Sequence, residues 1–148
     1  MIVVDASVAV KWAIPEVGRE NARRLLSFGH RLAAPDLIYA EVANVFRKRM
    51  KLGELTMSQA DAAFTALGAS IAKIIPSSVL AVQALKYAKQ LDHSAYDCFY
   101  LAATEPNAFF VTADDVFARK CVGAGVLSGQ VISLSEIDMI PIAREARF

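Results

Sequence analysis

Short apolar runs rich in β-branched or aromatic residues alternate along the chain with longer stretches of helical spacing. Ile2-Val3-Val4 is an unbroken apolar run that stops at Asp5, the pattern of a buried strand. Ala6 to Ala13 reads as a short helix closed by Pro15, whose ring and missing N–H prevent continuation. Arg19 to Phe28 is a charged helix with Gly29 past its end. Arg31 to Ala34 forms a second strand, and a helix from Asp36 to Lys51 opens after Pro35 and stops before Gly53. Its spacing places Leu37, Ala40, Glu41, Val45 and Lys48 near one face. Thr56-Met57-Ser58-Gln59 has the form of a capping box and starts a helix to about Ala69. Ile71 to Ile75 is a third strand, and Ser77 or Ser78 caps a helix to Leu91. Ser94-Ala95-Tyr96-Asp97 is a second capping-box-like start, for a helix to Thr104. Phe109 to Thr112 is a fourth strand, Asp115 to Gly123 a helix, and Gln130 to Ser133 a last strand.

Strands separated by helices need crossover connections, and these favour a parallel sheet covered on both faces. The expected fold is a three-layer α/β/α sandwich with a mostly parallel central sheet, formed by one domain over residues 1–148. In such sheets ligands sit outside the carboxyl ends of the strands. That rule selects the residues at Asp5 and Asp114.

Composition narrows the class. The chain has 148 residues, 55% of them hydrophobic, which argues for a packed core and against disorder. With 16 basic and 15 acidic residues the formal charge is +1, so bulk charge does not mark a nucleic-acid binder. Asp5 and Lys11 interrupt the apolar start, making it a poor signal peptide and too short to cross a membrane. A cytoplasmic protein without membrane contact is expected. Cys98 and Cys121 match no zinc or disulfide spacing and read as buried or half-buried free thiols.

The acidic residues carry the candidate chemistry. Asp5 directly follows the first strand, and Asp114 follows the fourth by two residues. Glu41 sits among Ala40, Val42 and Ala43, and Asp97 between Tyr96 and Cys98 in the first turn of its helix. Each fits a local role as well: Asp5 as an N-cap, Glu41 on a solvated face, Asp97 completing the Ser94 cap, Asp114 or Asp115 capping the next helix. Gathered in one pocket they are a different object. Two carboxylates about 5 Å apart repel by roughly 3 kcal/mol at an effective dielectric of ~20. Three or four stay ionised together only beside a divalent cation. Oxygen donors without histidine or thiolate suit Mg²⁺ or Mn²⁺, ions used in phosphodiester hydrolysis.

The ordered segments VVDASVAVKWAIPE, YAEVANVF, HSAYDCFYLA and FFVTADDVF closely resemble those of the PIN-domain ribonucleases, and within them the VapC-type toxins of toxin–antitoxin pairs. The resemblance spans Ile2 to about Ser133. It implies a Mg²⁺-dependent endoribonuclease, with Mn²⁺ able to substitute, whose metal-binding and catalytic set is Asp5, Glu41, Asp97 and Asp114. Ser7 and Thr112 match the small hydroxyl positions beside that set. The spacing of Thr, any residue, then Asp selects Asp114 over its neighbour Asp115. An RNA substrate, a homodimer and a VapB-like antitoxin, through which alone operator DNA is reached, are also implied by resemblance.

The basic residues are less specific. Arg47, Lys48, Arg49 and Lys51 cluster at a helix end, where they complement the dipole or contact phosphate. Lys11, Lys86, Lys89, Arg119 and Lys120 are further candidates for phosphate contact. His30 and His93 lack a second histidine at ligand spacing, and Trp12, Phe46, Phe99 and Tyr100 read as core or dimer contacts. A receiver-type domain would need paired acids after the first strand and a late lysine. A haloacid-dehalogenase-like phosphatase would need an aspartate where Ser7 stands. Neither matches.

Overall fold

The three-residue run Ile2–Val4 forms β1, fully buried, and Asp5 ends it by turning the chain into α1 (Ala6–Ala13). The computed structural model describes residues 1–143. After α1 come α2 (Arg19–Leu25), β2 (Leu32–Pro35), α3 (Leu37–Lys51), α4 (Met57–Ser70) and β3 (Ile71–Ile75). The second half runs α5 (Ser77–Leu91), α6 (Ala95–Ala102), β4 (Phe109–Thr112), α7 (Asp115–Gly123) and β5 (Val131–Ser133), then a 3₁₀ segment over Leu134–Met139.

All strand pairs are parallel, in the order β3-β2-β1-β4-β5. The chain therefore builds outward from β1 to β3, crosses back, and continues from β4 on the other side of β1. Right-handed crossovers then place α1 to α4 on one face and α5 to α7 on the other. This is the expected three-layer α/β/α sandwich. The reversal makes the gap between β1 and β4 a topological switch point, with its crevice at their carboxyl ends. Val4 lies opposite Val111, so the next residues along the two segments, Asp5 just past β1 and Thr112 at the end of β4, come side by side.

The core is built on the strands and the inner faces of the helices. Ile2, Val3, Val4 and Phe110 are inaccessible, and Tyr100 and Phe117 pack beside them among the largest fully buried side chains. Tyr100 stacks on Phe110 at 6.1 Å between ring centroids, and Phe117 meets Phe110 edge-on at 6.3 Å. Cys98 and Cys121 are buried free thiols, as expected. No helix among the described residues is long and apolar enough to cross a membrane.

Several local expectations shift. Helix α2 ends at Leu25, before the expected Phe28, once its buried pair Ala22 and Leu25 is in place. Its N-cap Gly18 has φ +90°, a left-handed conformation that glycine adopts without the strain of a Cβ. Strand β2 runs one residue later, through Pro35, because Asp36 N–H still reaches the Ile75 carbonyl. The buried line of α3 is Ile38, Val42 and Phe46, one residue displaced from the expected Leu37-Glu41-Val45 stripe. Glu41 thus lies on the edge of the buried face. The capping box of α4 forms, with Gln59 N–H donated to Thr56 Oγ1 at 3.1 Å and Thr56 N–H to Gln59 Oε1 at 2.9 Å. The cap expected from Ser77 or Ser78 and the box expected at Ser94 do not: Pro76 is the N-cap of α5, and Ser94 makes no side-chain capping bond. Ser77 instead donates its backbone N–H (3.0 Å) and its hydroxyl to Asp36, tying α5 to the start of α3.

Candidate active site

Asp5 is the N-cap of α1, and its carboxylate accepts three hydrogen bonds. Oδ1 accepts from Val8 N–H at 3.2 Å and from the Ser7 hydroxyl at 2.5 Å, while Oδ2 accepts from the Thr112 hydroxyl at 2.5 Å. The capping role and the role in the cluster coexist. Ser7 Oγ also accepts from Ala113 N–H at 3.0 Å, and Thr112 Oγ1 from Asp114 N–H at 3.1 Å. A lattice of two short hydroxyls thereby locks the end of β1 to the end of β4. The Asp5 side chain is buried, and its pKa rises from 3.8 to about 6. Desolvation is the chief cause, and the nearby Asp97 charge adds to it, against hydrogen bonds from Ser7, Thr112 and Val8.

Glu41, in the second turn of α3, is half-buried and accepts the Tyr100 hydroxyl at 2.8 Å. Its pKa is also raised, first by burial and then by the charges of Asp5 and Asp97, with the Tyr100 hydrogen bond opposing. Burial, followed by the Glu41 charge, also drives the Tyr100 pKa upward, so the phenol keeps its proton and stays a donor. Asp97 stands in the first turn of α6, half-buried, with Oδ2 2.7 Å from His93 Nε2. Three of the four acids thus form one electrostatic group: Asp97 acts on Asp5 and Glu41, and Asp5 on Glu41.

Asp114 is linked to Asp5 through its backbone N–H and the Thr112 hydroxyl. It is the exposed N-cap of α7, with its N–H on Thr112 Oγ1 and its Oδ1 accepting from Phe117 N–H at 2.9 Å. Asp115, in the first helical turn, accepts the Ser133 hydroxyl, and Ser133 lies 2.9 Å from Ser135. The two neighbours therefore serve different strand ends, Asp114 that of β4 and Asp115 that of β5.

No Lys or Arg forms an ion pair with Asp5, Glu41, Asp97 or Asp114 among the described residues. The donor chemistry, carboxylates backed by hydroxyls, is that of a hard divalent cation. Among the described residues no three Asp, Glu, His or Cys side chains converge as a ready-made cation site. Their oxygens are instead engaged by Ser7, Thr112, Tyr100 and His93. The set fits such an ion in kind and in its uncompensated charge. Some of the basic residues pair within the protein: Lys11 and Arg49 both bind Glu16, and Lys120 donates to the Asp92 carbonyl at 2.9 Å.

The PIN domain family matches residues 2–123, from β1 to the end of α7, spanning all four acids. The chain belongs to the PIN-domain family. PIN domains are generally nucleases that use divalent metals. The crystal structure of PAE2754 from Pyrobaculum aerophilum is similar at a TM-score of 0.66 and 23% identity, covering 90% of this chain and 83% of that one. VapBC2 from Rickettsia felis, crystallised with a DNA fragment from its promoter, is similar at a TM-score of 0.59 and 15% identity, over 90% and 98% of the respective chains. At these identities the likeness is one of fold. No curated protein matches the chain.

Two neighbours of the acids in this PIN domain escape a reading of spacing. His93 has no second histidine at ligand spacing, yet it meets Asp97 as a hydrogen-bond partner four residues away. That i, i+4 interval across a helix start is the one signal that points to the contact. Tyr100 reads as core and is core, but its hydroxyl reaches Glu41 across 59 residues of sequence, and no local pattern announces that.

Proposed function

We propose that this PIN domain is a metal-dependent endoribonuclease and the toxin of a type II toxin–antitoxin pair. The observation that carries the reading is Asp5. It is a buried carboxylate at a sheet switch point, within the electrostatic reach of Glu41 and Asp97 and without a cationic partner among the described residues. Asp5, Glu41, Asp97 and Asp114 would hold Mg²⁺, or Mn²⁺ in its place. Bound there, such an ion supplies Lewis acidity that lowers the pKa of water and offsets charge on the scissile phosphate. The protein's own contribution is orientation. Ser7 and Thr112 hold Asp5, and Thr112 also fixes the backbone at Asp114. RNA as substrate, a cytoplasmic location and a homodimer follow the resemblance of the ordered motifs. The similarity in fold to VapBC2 supports an antitoxin as partner, with operator DNA reached through it.

Asp5→Asn keeps the side chain's shape and removes its charge. This variant is expected to lose Mg²⁺-dependent RNA cleavage while its circular-dichroism melt stays cooperative. Full cleavage by Asp5→Asn, or by the parent protein in excess chelator, overturns the metal-dependent reading of the acidic site, and no cleavage by the parent protein with Mg²⁺ or Mn²⁺ overturns the nuclease assignment. The product of the adjacent gene is expected to co-purify and suppress cleavage. A nuclease whose neighbours bind nothing at micromolar concentration is a housekeeping PIN enzyme instead.

A further inference from the structure

The link between α5 and α6 is only three residues long, and α7 holds it from the side. Asp92, the C-cap of α5, adopts φ +47°, and its carbonyl accepts from Lys120 Nζ at 2.9 Å. The next residue, His93, lays its imidazole on the buried Phe117 ring, with centroids 4.4 Å apart and planes 22° from parallel. Phe117 and Lys120 are three residues apart on α7, so one face of that helix grips both the turn and the ring. The same Phe117 gives its backbone N–H to Asp114.

So held, His93 directs Nε2 at Asp97 Oδ2, 2.7 Å away. An ionised carboxylate only accepts, so Nε2 carries the proton in this contact. The local alternative is unused, since Ser94 makes no side-chain capping bond at the start of α6. Asp97 Oδ1 makes no protein hydrogen bond among the described residues. One oxygen is thus committed to the imidazole, and the other is left available.

We infer that His93 is a positioning residue for Asp97, clamped by Phe117 and Lys120 of α7, and that it sets the carboxylate's orientation for cation binding. The inference rests on reading Asp5, Glu41, Asp97 and Asp114 as the cation-holding set. A donor to the second oxygen of a ligating carboxylate removes rotational freedom that binding would otherwise have to freeze. Loss of such an outer partner typically weakens metal affinity by about 10- to 100-fold.

The test is calorimetric titration of the RNA-free protein with Mn²⁺ alone. His93→Leu keeps bulk against Phe117 and removes the donor, and should weaken Mn²⁺ binding at least about 10-fold. His93→Gln restores an N–H at similar reach and should recover most of the affinity. In an Asp97→Asn background, His93→Leu should have no further effect, which separates orientation of Asp97 from general damage. If His93→Leu unfolds, His93→Phe preserves the stack and serves in its place. Parental affinity in the donor-less variant, or no recovery with Gln, overturns the positioning role while leaving the cation site standing. A parent protein that binds no Mn²⁺ overturns the site reading itself, and the inference with it.

Discussion

The two ends of α1 each carry a carboxylate, and the protein treats them in opposite ways. Beyond its C-terminus, Glu16 is met by Lys11 Nζ at 3.0 Å and by Arg49, which also binds Glu54 at 2.7 Å. Lys11 lies in the last turn of α1, where a positive charge also complements the helix dipole. At the N-terminus, Asp5 is more deeply buried and is met only by hydroxyls, a backbone N–H and other acids. Glu16 is neutralised within the protein and ties α1 to α3. Asp5 is hydrogen-bonded without forming an ion pair among the described residues. Among the described residues, Lys11 and Arg49 pair with the one carboxylate and no Lys or Arg pairs with the other. Under the proposed function, that contrast separates a carboxylate that serves the fold from one that would serve a cation.

The contrast breaks most visibly at the neighbours Asp114 and Asp115. Asp114→Asn is expected to cut RNA cleavage by orders of magnitude, because it removes the charge of an acid whose backbone N–H is anchored on Thr112, beside Asp5. Asp115→Asn, whose partner is Ser133, should leave most of the activity in place. Single-turnover rates at saturating Mn²⁺ decide between them. The reverse ranking would place the site at the end of β5.

Next in size is the pH dependence of the metal-free fold. Between 3.8 and about 6 the folded chain holds a proton on Asp5 that the unfolded chain has lost. Stability therefore falls as pH rises through that window, by about 3 kcal/mol when complete. Thermal melts in chelator should decline from pH 4 to pH 6.5, and Asp5→Asn should flatten most of that decline. An Asp5 whose charge is matched within the protein would give no such slope. Divalent cation should then restore the loss. An ion that binds only the folded state stabilises by about 2.7 kcal/mol at 100 times its Kd. Melting temperature is expected to rise with Mn²⁺ beyond the effect of NaCl at equal ionic strength, and to do so little in Asp5→Asn. The smallest effect belongs to the other end of α1. Glu16→Gln removes partly exposed ion pairs with Lys11 and Arg49 and should cost about 1 kcal/mol. RNA cleavage by this variant should remain at the parental level. A large loss of cleavage would mean that the two ends of α1 do not divide their roles as the charges suggest.

Local patterns alone determined most of the elements. The run Ile2–Val4 ending at an acid, the stop at Pro15, and the box of Thr56 and Gln59 all act within a turn or two of chain. Periodicity and capping depend on backbone groups a few residues apart, so they are readable without the fold. Residue type and order were enough to name Asp5, Glu41, Asp97 and Asp114 as one candidate set. What they form together was settled by the return of the chain to put β4 beside β1, which sets Thr112 of one strand end on Asp5 of the other. The same holds for Tyr100 on Glu41, Asp36 on Ser77, and the α7 face that seats His93. The pairing of Lys11 and Arg49 with Glu16 is also tertiary. Spacing along a chain encodes which way a side chain faces on its own element. Which element faces it from elsewhere, and hence whether a buried charge meets a cation or another acid, is decided by packing.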